Sequence, residues 1–293
     1  MIAISGALLV ALLAPQQADT TITVPAGTRL NLHTFAGEIV VETWDRNEFR
    51  IEADHGPGET VHVSRSGSVV EVAAEGRSRI PPRIDYRVTL PAATDLDLGG
   101  VNSDISVTGI GGQVQATTVN GDVRIEGGSG VIQVQTVQGD AMVTGARATV
   151  RAQSVSGSVL LRDIAGPVEA QTVSGSIVLD GIDTDDAEAS AVSGSIFYDG
   201  EIRPGGRYSF VSHSGRTTLA LPDPLDATIS ASVLSGRITS SFPEISAALE
   251  GSRRGTVVVG SGRASVEAET FSGEIRLVRR GEVRAPGRTN GTI

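Results

Sequence analysis

The chain has 293 residues, a net charge of −10 and no cysteine, and all 24 of its basic residues are arginine. Scattered arginines in an acidic chain exclude the contiguous basic face that nucleic acid needs, and the lack of cysteine excludes disulfides, thiolate metal sites, cysteine nucleophiles and lipoprotein anchoring. Aromatics make up 3% of the residues against 36 glycines, so the core must be built of Val, Ile and Ala, which suit stacked strands better than a helix-rich catalytic fold.

The first element is the apolar run Ile2 to Leu13, IAISGALLVALL. It has the length of a signal-peptide core and is shorter than a membrane-spanning helix. Pro15 blocks cleavage after Ala14, and Ala18 offers a cleavage point that would start the mature chain at Asp19. Residues 1–18 are read as a signal peptide or N-terminal anchor, with a buried first strand or helix as the competing reading. No Lys or Arg precedes the run.

Residues 19–97 alternate apolar and polar positions, but at irregular spacing and with larger residues such as Trp44 and Phe49. They predict a β-rich N-terminal cap or distorted first rungs, since a stack of strands must hide its open edge.

From residue 98 to 280 the chain repeats itself. TVNGDVRIEG, TVQGDAMVTG, SVSGSVLLRD and TVSGSIVLDG place Gly121, Gly139, Gly157 and Gly175 at a constant spacing of 18, and Ser103 stands one step earlier. Gly194, Gly215 and Gly236 continue at 19, 21 and 21. GSGRASV around Gly262 and TFSGEIRL around Gly273 follow, while TFAGEIVV around Gly37 reads as an isolated early copy.

Columns appear in this register. Val101, Val119, Val137, Val155, Val173 and Val192 stand two residues before the glycine position, and Ile105, Val123, Ala141, Val159, Ile177 and Ile196 two after. Val107, Ile125, Val143, Leu161, Leu179 and Tyr198 stand four after. Val114, Ile132, Val150 and Val168 form a further column, followed by Ala116, Val134, Ala152 and Ala170. All are expected inside, with Val119, Val137, Val155 and Val173 stacked in one buried column. Asn102, Asn120, Gln138, Ser156, Ser174 and Ser193 are expected outside as a polar ladder, and Gly109, Gly127, Gly145 and Gly181 at turns.

The fold class is therefore all-β: a single-stranded β-solenoid of about 18-residue rungs, roughly 50 Å long at ~4.8 Å per rung. A β-sandwich also has many short strands but gives no reason for a constant register. Residues 281–293 read as a polar tail without a second apolar anchor.

The strand GEIVVETWDRNEFRIEA, then YRVTLPAATDLDLGGVNSDISV, then serial TVSGSI elements resemble the bacterial exported "putative adhesin" β-solenoid family of unknown function, over about residues 20–280. The resemblance implies an extracytoplasmic solenoid with no established catalytic residues.

Few residues suggest chemistry. The column after the glycine runs Asp104, Asp122, Asp140, then Ser158, Ser176 and Ser195, then Arg216, Arg237 and Arg263. Stacked aspartates can ligate a divalent cation. The bland alternative, a solvated edge, is preferred, because neighbouring carboxylates ~4.8 Å apart in water repel by only roughly 0.9 kcal/mol. LDGIDTDDAE (179–188) lacks the Gly and Glu of a calcium loop and reads as an acidic surface turn. His33, His55, His62 and His213 show no metal-ligand spacing. The repeated SxSG serines have no base and orienter beside them, and His213 and Ser214, as strand neighbours, point to opposite faces. The longer rung FYDGEIRPGGRYSF brings Tyr198, Asp199, Arg203, Arg207, Tyr208 and Phe210 together in sequence and is the place to look for a ligand.

The reading is thus a non-enzymatic, extracytoplasmic structural or surface-interaction module in the periplasm, at the cell envelope or secreted, with no catalytic residue, cofactor or metal. Its partner would be a cell-envelope component, a glycan or a surface protein, with self-association through the solenoid ends as a further option. The alternatives are a polysaccharide-active β-helix enzyme, which would need paired carboxylates in an aromatic-lined groove, and a filament joined end to end.

Overall fold

The computed structural model describes residues 16–76, 81–249 and 251–287. The run Ile2 to Leu13 and the end of the tail, 288–293, lie outside them. The described chain is almost wholly strand, with one short helix, Pro243–Leu249, among the described residues.

Strands stack in parallel as two walls of a solenoid-like sheet. The first wall contains Val114–Asn120, Val131–Gln138, Thr149–Ser156, Val168–Ser174 and Asp186–Ser193. The second contains Val123–Glu126, Ala141–Thr144, Val159–Arg162, Ile177–Ile182 and Ile196–Gly200. A third side is joined by single hydrogen bonds, such as Arg147 N–H to the Gly128 carbonyl (2.8 Å) and Ala165 N–H to the Ala146 carbonyl (2.9 Å). Like stacks on like: Val134 pairs with Ala116 and Ala152, and Val143 with Ile125 and Leu161.

The glycine register follows from sterics. At the corner between the walls Gly175 has φ 149°, and a Cβ there would lie 2.1 Å from the carbonyl oxygen of Gly157 in the adjacent rung. Gly121, Gly139, Gly157, Gly194 and Gly215 approach their neighbours as closely. Any side chain would collide with backbone, which cannot move aside without breaking the ladder. The turn column has a different cause: Gly109, Gly127, Gly145 and Gly181 have φ between 67° and 78°, and Asp163 takes the fifth place with φ 54°.

The expected inward columns from Ile105 to Ile196, from Val107 to Tyr198, and from Val114 and Ala116 onward are buried. The column Val101, Val119, Val137, Val155, Val173 and Val192 is not: its members stack rung on rung but are 36–49% exposed. The preceding residues, Thr118, Thr136, Ser154 and Thr172, face inward instead. The alternation begun at Val114 and Ala116 runs on to Thr118, and the phase changes only at the corner.

Chain order and spatial order part company at both ends. Arg29–Trp44 pairs with Asp95–Thr108, setting Gly37 against Ser103, so the early copy is a direct neighbour of the stack and not an isolated one. Its other neighbours are Val69–Gly76 in the first wall and Asp85–Pro91 in the second. At the far end Ala264–Arg279 lies between Arg207–Leu221 and Ala227–Ser240. Gly273 thus stacks between Gly215 and Gly236. Gly262 and Arg263 fall in a turn where Arg263 pairs with Asp226, so Arg263 does not belong to the column of Arg216 and Arg237. Glu274 stands there instead. The outermost strands of the first wall are antiparallel: Glu59–Ser66 on Val69–Gly76, and Arg254–Val259 on Ala227–Ser240.

The tail does have an apolar anchor. Val283 and Ala285 pack on Val178, Phe197, Ala220 and Val278, outward residues of the second wall, and Arg280 pairs with Asp199 (2.8 Å) and Glu201 (2.6 Å).

Candidate interaction surface

The first wall owes its outer face to a polar column inside it. Thr118, Thr136, Ser154 and Thr172 donate their hydroxyls to the carbonyls of Ser103, Gly121, Gly139 and Gly157 at 2.9–3.1 Å. Each bond joins a strand to the corner of the rung before it. The hydroxyl satisfies a corner carbonyl, and a valine in its place could not. With Thr or Ser committed inward, the next residue must point out, and that residue is the valine.

An apolar ridge results. It begins at Phe35, follows the six valines, and ends through His213 and Phe271, whose rings stack at 4.7 Å and 14°, to Leu234. On one side of the ridge lies the polar ladder Asn102, Asn120, Gln138, Ser156, Ser174 and Ser193, with the Asn120 amide donating to Asn102 Oδ1 at 2.8 Å. On the other side Gln135, Gln153 and Gln171 line a groove of ≈ 380 Å³ along the valines. A second groove of ≈ 350 Å³ continues past Val192 and Val211 to Phe271, Leu234 and Arg254.

Charge is displaced to the margins. The ridge and the columns beside it, from His33 to Ser232 and from Ala36 to Ser235, carry one carboxylate, Glu269, and no arginine. Arg151 and Glu169 stand one column further out, and the aspartate column lies beyond the corner.

That aspartate column is structural. Asp104, Asp122 and Asp140 each accept the backbone N–H of Asp122, Asp140 and Ser158, one rung on, at 2.7–2.9 Å. Each carboxylate thereby bonds a corner amide of the neighbouring rung, and among the described residues no His, Cys, Asp or Glu cluster is placed to hold a metal ion. Residues 179–188 are not wholly a surface turn: Asp180 sits in a strand, 1% exposed, with Arg162 at 3.2 Å. Asp183 pairs with Arg203.

The long rung is packed inward. Tyr198, Tyr208 and Phe210 are fully buried, with ring centroids 6.1 Å apart for the tyrosines and 5.0 Å for Tyr198 and Phe210. The tyrosine hydroxyls donate to the carbonyls of Glu201 (2.9 Å) and Thr184 (2.7 Å). Asp199 and Arg203 are held in ion pairs, and Arg207 is exposed apart from the aromatics. Burial pushes the Tyr198 and Tyr208 hydroxyls up, and that of Tyr86 to about 12. Sequence reasoning looked for a surface in this rung and missed the ridge, whose signal was the unbroken alternation Val114, Ala116, Thr118.

The family model Toastrack DUF4097 matches residues 6–199 and 165–278. The chain belongs to this family. The resemblance read from the serial Val-Ser-Gly elements thus holds: Toastrack chains form a "putative adhesin"-like family of unknown function. Three solved structures align with this Toastrack chain. A "putative cell adhesion protein" of Clostridium sporogenes is 10% identical, covering 91% of this chain and 100% of its own, with a TM-score of 0.25. A "putative adhesin" of Bacteroides fragilis is 13% identical over 89% and 97%, with a TM-score of 0.45. One of Parabacteroides merdae is 11% identical over 90% and 97%, with a TM-score of 0.27. A comparison with curated proteins finds no match.

Proposed function

We propose that this Toastrack chain is a non-enzymatic, extracytoplasmic β-solenoid whose first wall is a surface-interaction face. One observation carries the reading: an exposed apolar ridge runs from Phe35 to Leu234 between columns whose only charged group is Glu269. Folding gives no reason to expose valine in six successive rungs, and contiguous apolar surface of this kind marks contact with another molecule. The adhesin-like names of the aligned structures agree with an interaction role at a surface. In this reading residues 1–18 direct export or anchor the chain, 19–97 close one end of the stack, 98–280 form the solenoid, and the tail latches onto the second wall through Val283 and Ala285.

The experiment measures retention of the purified chain on intact cell envelopes, on glycan arrays and on surface-protein fractions. The Val137→Glu/Val155→Glu/Val173→Glu variant should lose retention while keeping its circular dichroism and melting temperature. Undiminished retention of the folded triple variant would remove the ridge from the function. Turnover of a glycan or ester, abolished by Asp199→Ala, Arg203→Ala or Arg207→Ala, would replace the module with an enzyme.

A further inference from the structure

The ridge fits a second copy of this chain. Resting on the reading of the first wall as an interaction face, we propose that two copies pair ridge to ridge with their rods antiparallel, about a two-fold axis between Val155 and Val173.

Area makes the pairing feasible. From Phe35 to Leu234 the ridge crosses about nine strand spacings, or roughly 43 Å, and the uncharged columns with their margin span roughly 17 Å. The face thus offers about 700 Å² per copy, close to the ~800 Å² per partner of a stable interface. Its anatomy is also that of an interface: an apolar centre, hydrogen-bonding neighbours that are uncharged but for Glu269, and most of the charge at the rim. The centre is a flat row of side chains at the repeat of a sheet, so two such rows can interdigitate as sheets do when they pack face to face.

Bulk selects the antiparallel arrangement. One end of the ridge is valine with Phe35 at its tip, and the other carries His213, Phe271 and Leu234. Parallel rods would set Phe271 on Phe271 and His213 on His213, wedging the faces apart at one end. Antiparallel rods set Phe271 on Val101 and His213 on Val119, so large meets small along the ridge, and two large side chains, Phe35 and Leu234, meet only at the tips.

Charge selects the same arrangement. The column past the corner is acidic at one end (Glu38, Asp104, Asp122, Asp140) and bears Arg216 and Arg237 at the other. Reversing one rod sets Glu38 beside Arg237 and Asp122 beside Arg216, twice each. Asp104 then meets Glu274, whose charge its own Arg216 offsets at 3.0 Å. On the opposite rim Arg151 of each copy meets Glu169 of the other, against one like-charge pair, Asp97 with Glu267. Opposed charges at a rim set orientation and encounter rate more than affinity.

The chain has no native cysteine, so single cysteines report orientation directly. Under mild oxidation of the full chain, Val101→Cys mixed with Phe271→Cys should form a disulfide-linked dimer, and neither variant alone should. The same should hold for Phe35→Cys mixed with Leu234→Cys. Sedimentation should show a concentration-dependent dimer that Val155→Arg/Val173→Arg converts to monomer with an unchanged circular dichroism spectrum. Self-linking of Val101→Cys or Phe271→Cys alone would mean parallel rods and overturn the proposal. A wild-type chain that stays monomeric across the concentration range also overturns it. If that monomer still binds envelopes through the ridge, the interaction face stands and its partner is another molecule.

Discussion

Val155 and Val159 lie four residues apart in the same rung and are the same residue, yet Val155 is 44% exposed and Val159 not at all. The difference is one of direction. Ser154 is turned inward by its bond to the Gly139 carbonyl, which turns Val155 out. Past Gly157 the chain enters the second wall in the opposite phase and Val159 joins the core. Repetition therefore does not mean burial, and a column of identical valines can serve the fold or the surface depending on what the corner requires.

The comparison can be broken at the corner itself. Gly175→Ala should cost about 3 kcal/mol or more, combining a strained φ with a methyl forced against the Gly157 carbonyl. Denaturant melts measure it, and a cost under about 1 kcal/mol would show that the rungs can separate locally. Val159→Ala should cost about 2 kcal/mol through lost burial and the cavity left.

The inner columns also carry a reporter. Tyr198 stands in the column of Leu161, and the chain's three tyrosines, Tyr86, Tyr198 and Tyr208, are all buried. Burial raises the folded-state pKa of each, so the unfolded chain loses phenolic protons near 10 while the folded chain keeps them. Stability should be unaffected below that pH and fall as pH rises from about 10 towards about 12. Phenolate absorbance should then appear together with unfolding. Gradual titration near pH 10 in the folded chain would contradict the burial.

Smaller effects sharpen the contrast. Thr136→Val should cost about 1 kcal/mol, since it removes the donor to the Gly121 carbonyl and keeps the shape. Val155→Ala should stay within about 0.5 kcal/mol of wild type, as for other exposed substitutions. Equal costs at Val155 and Val159 would erase the distinction between ridge and core.

Much of this was legible in residue spacing. The glycine register, the inner columns from Ile105 and Val107, the polar ladder and the turn glycines all follow from period-two alternation and steric need. The ridge was not, because hydrophobicity alone places Val119 inside and Thr118 outside, and only the corner carbonyls reverse that preference. The neighbours of Gly273 were not legible either. Spacing gives a residue's place within its rung but not which rung lies next to it when the chain departs and returns. The latch at Val283 and Ala285 escaped notice because two separated apolar residues make no periodic signal.

The strand Ala264–Arg279 lies between two segments synthesised before it. Every rung from Val114 to Gly200 can settle on the one just translated, but Ala227–Ser240 emerges from the ribosome with no parallel neighbour to join. Biogenesis therefore leaves a slot beside Arg207–Leu221 that only the last strand fills. A chain interrupted before Ala264 keeps two bare parallel edges, which makes it prone to aggregation and digestion. The arrangement also bears on how such rods lengthen in evolution. Duplicating a rung between Val114 and Ser193 repeats a contact that already exists, so the interior can lengthen without disturbing either end.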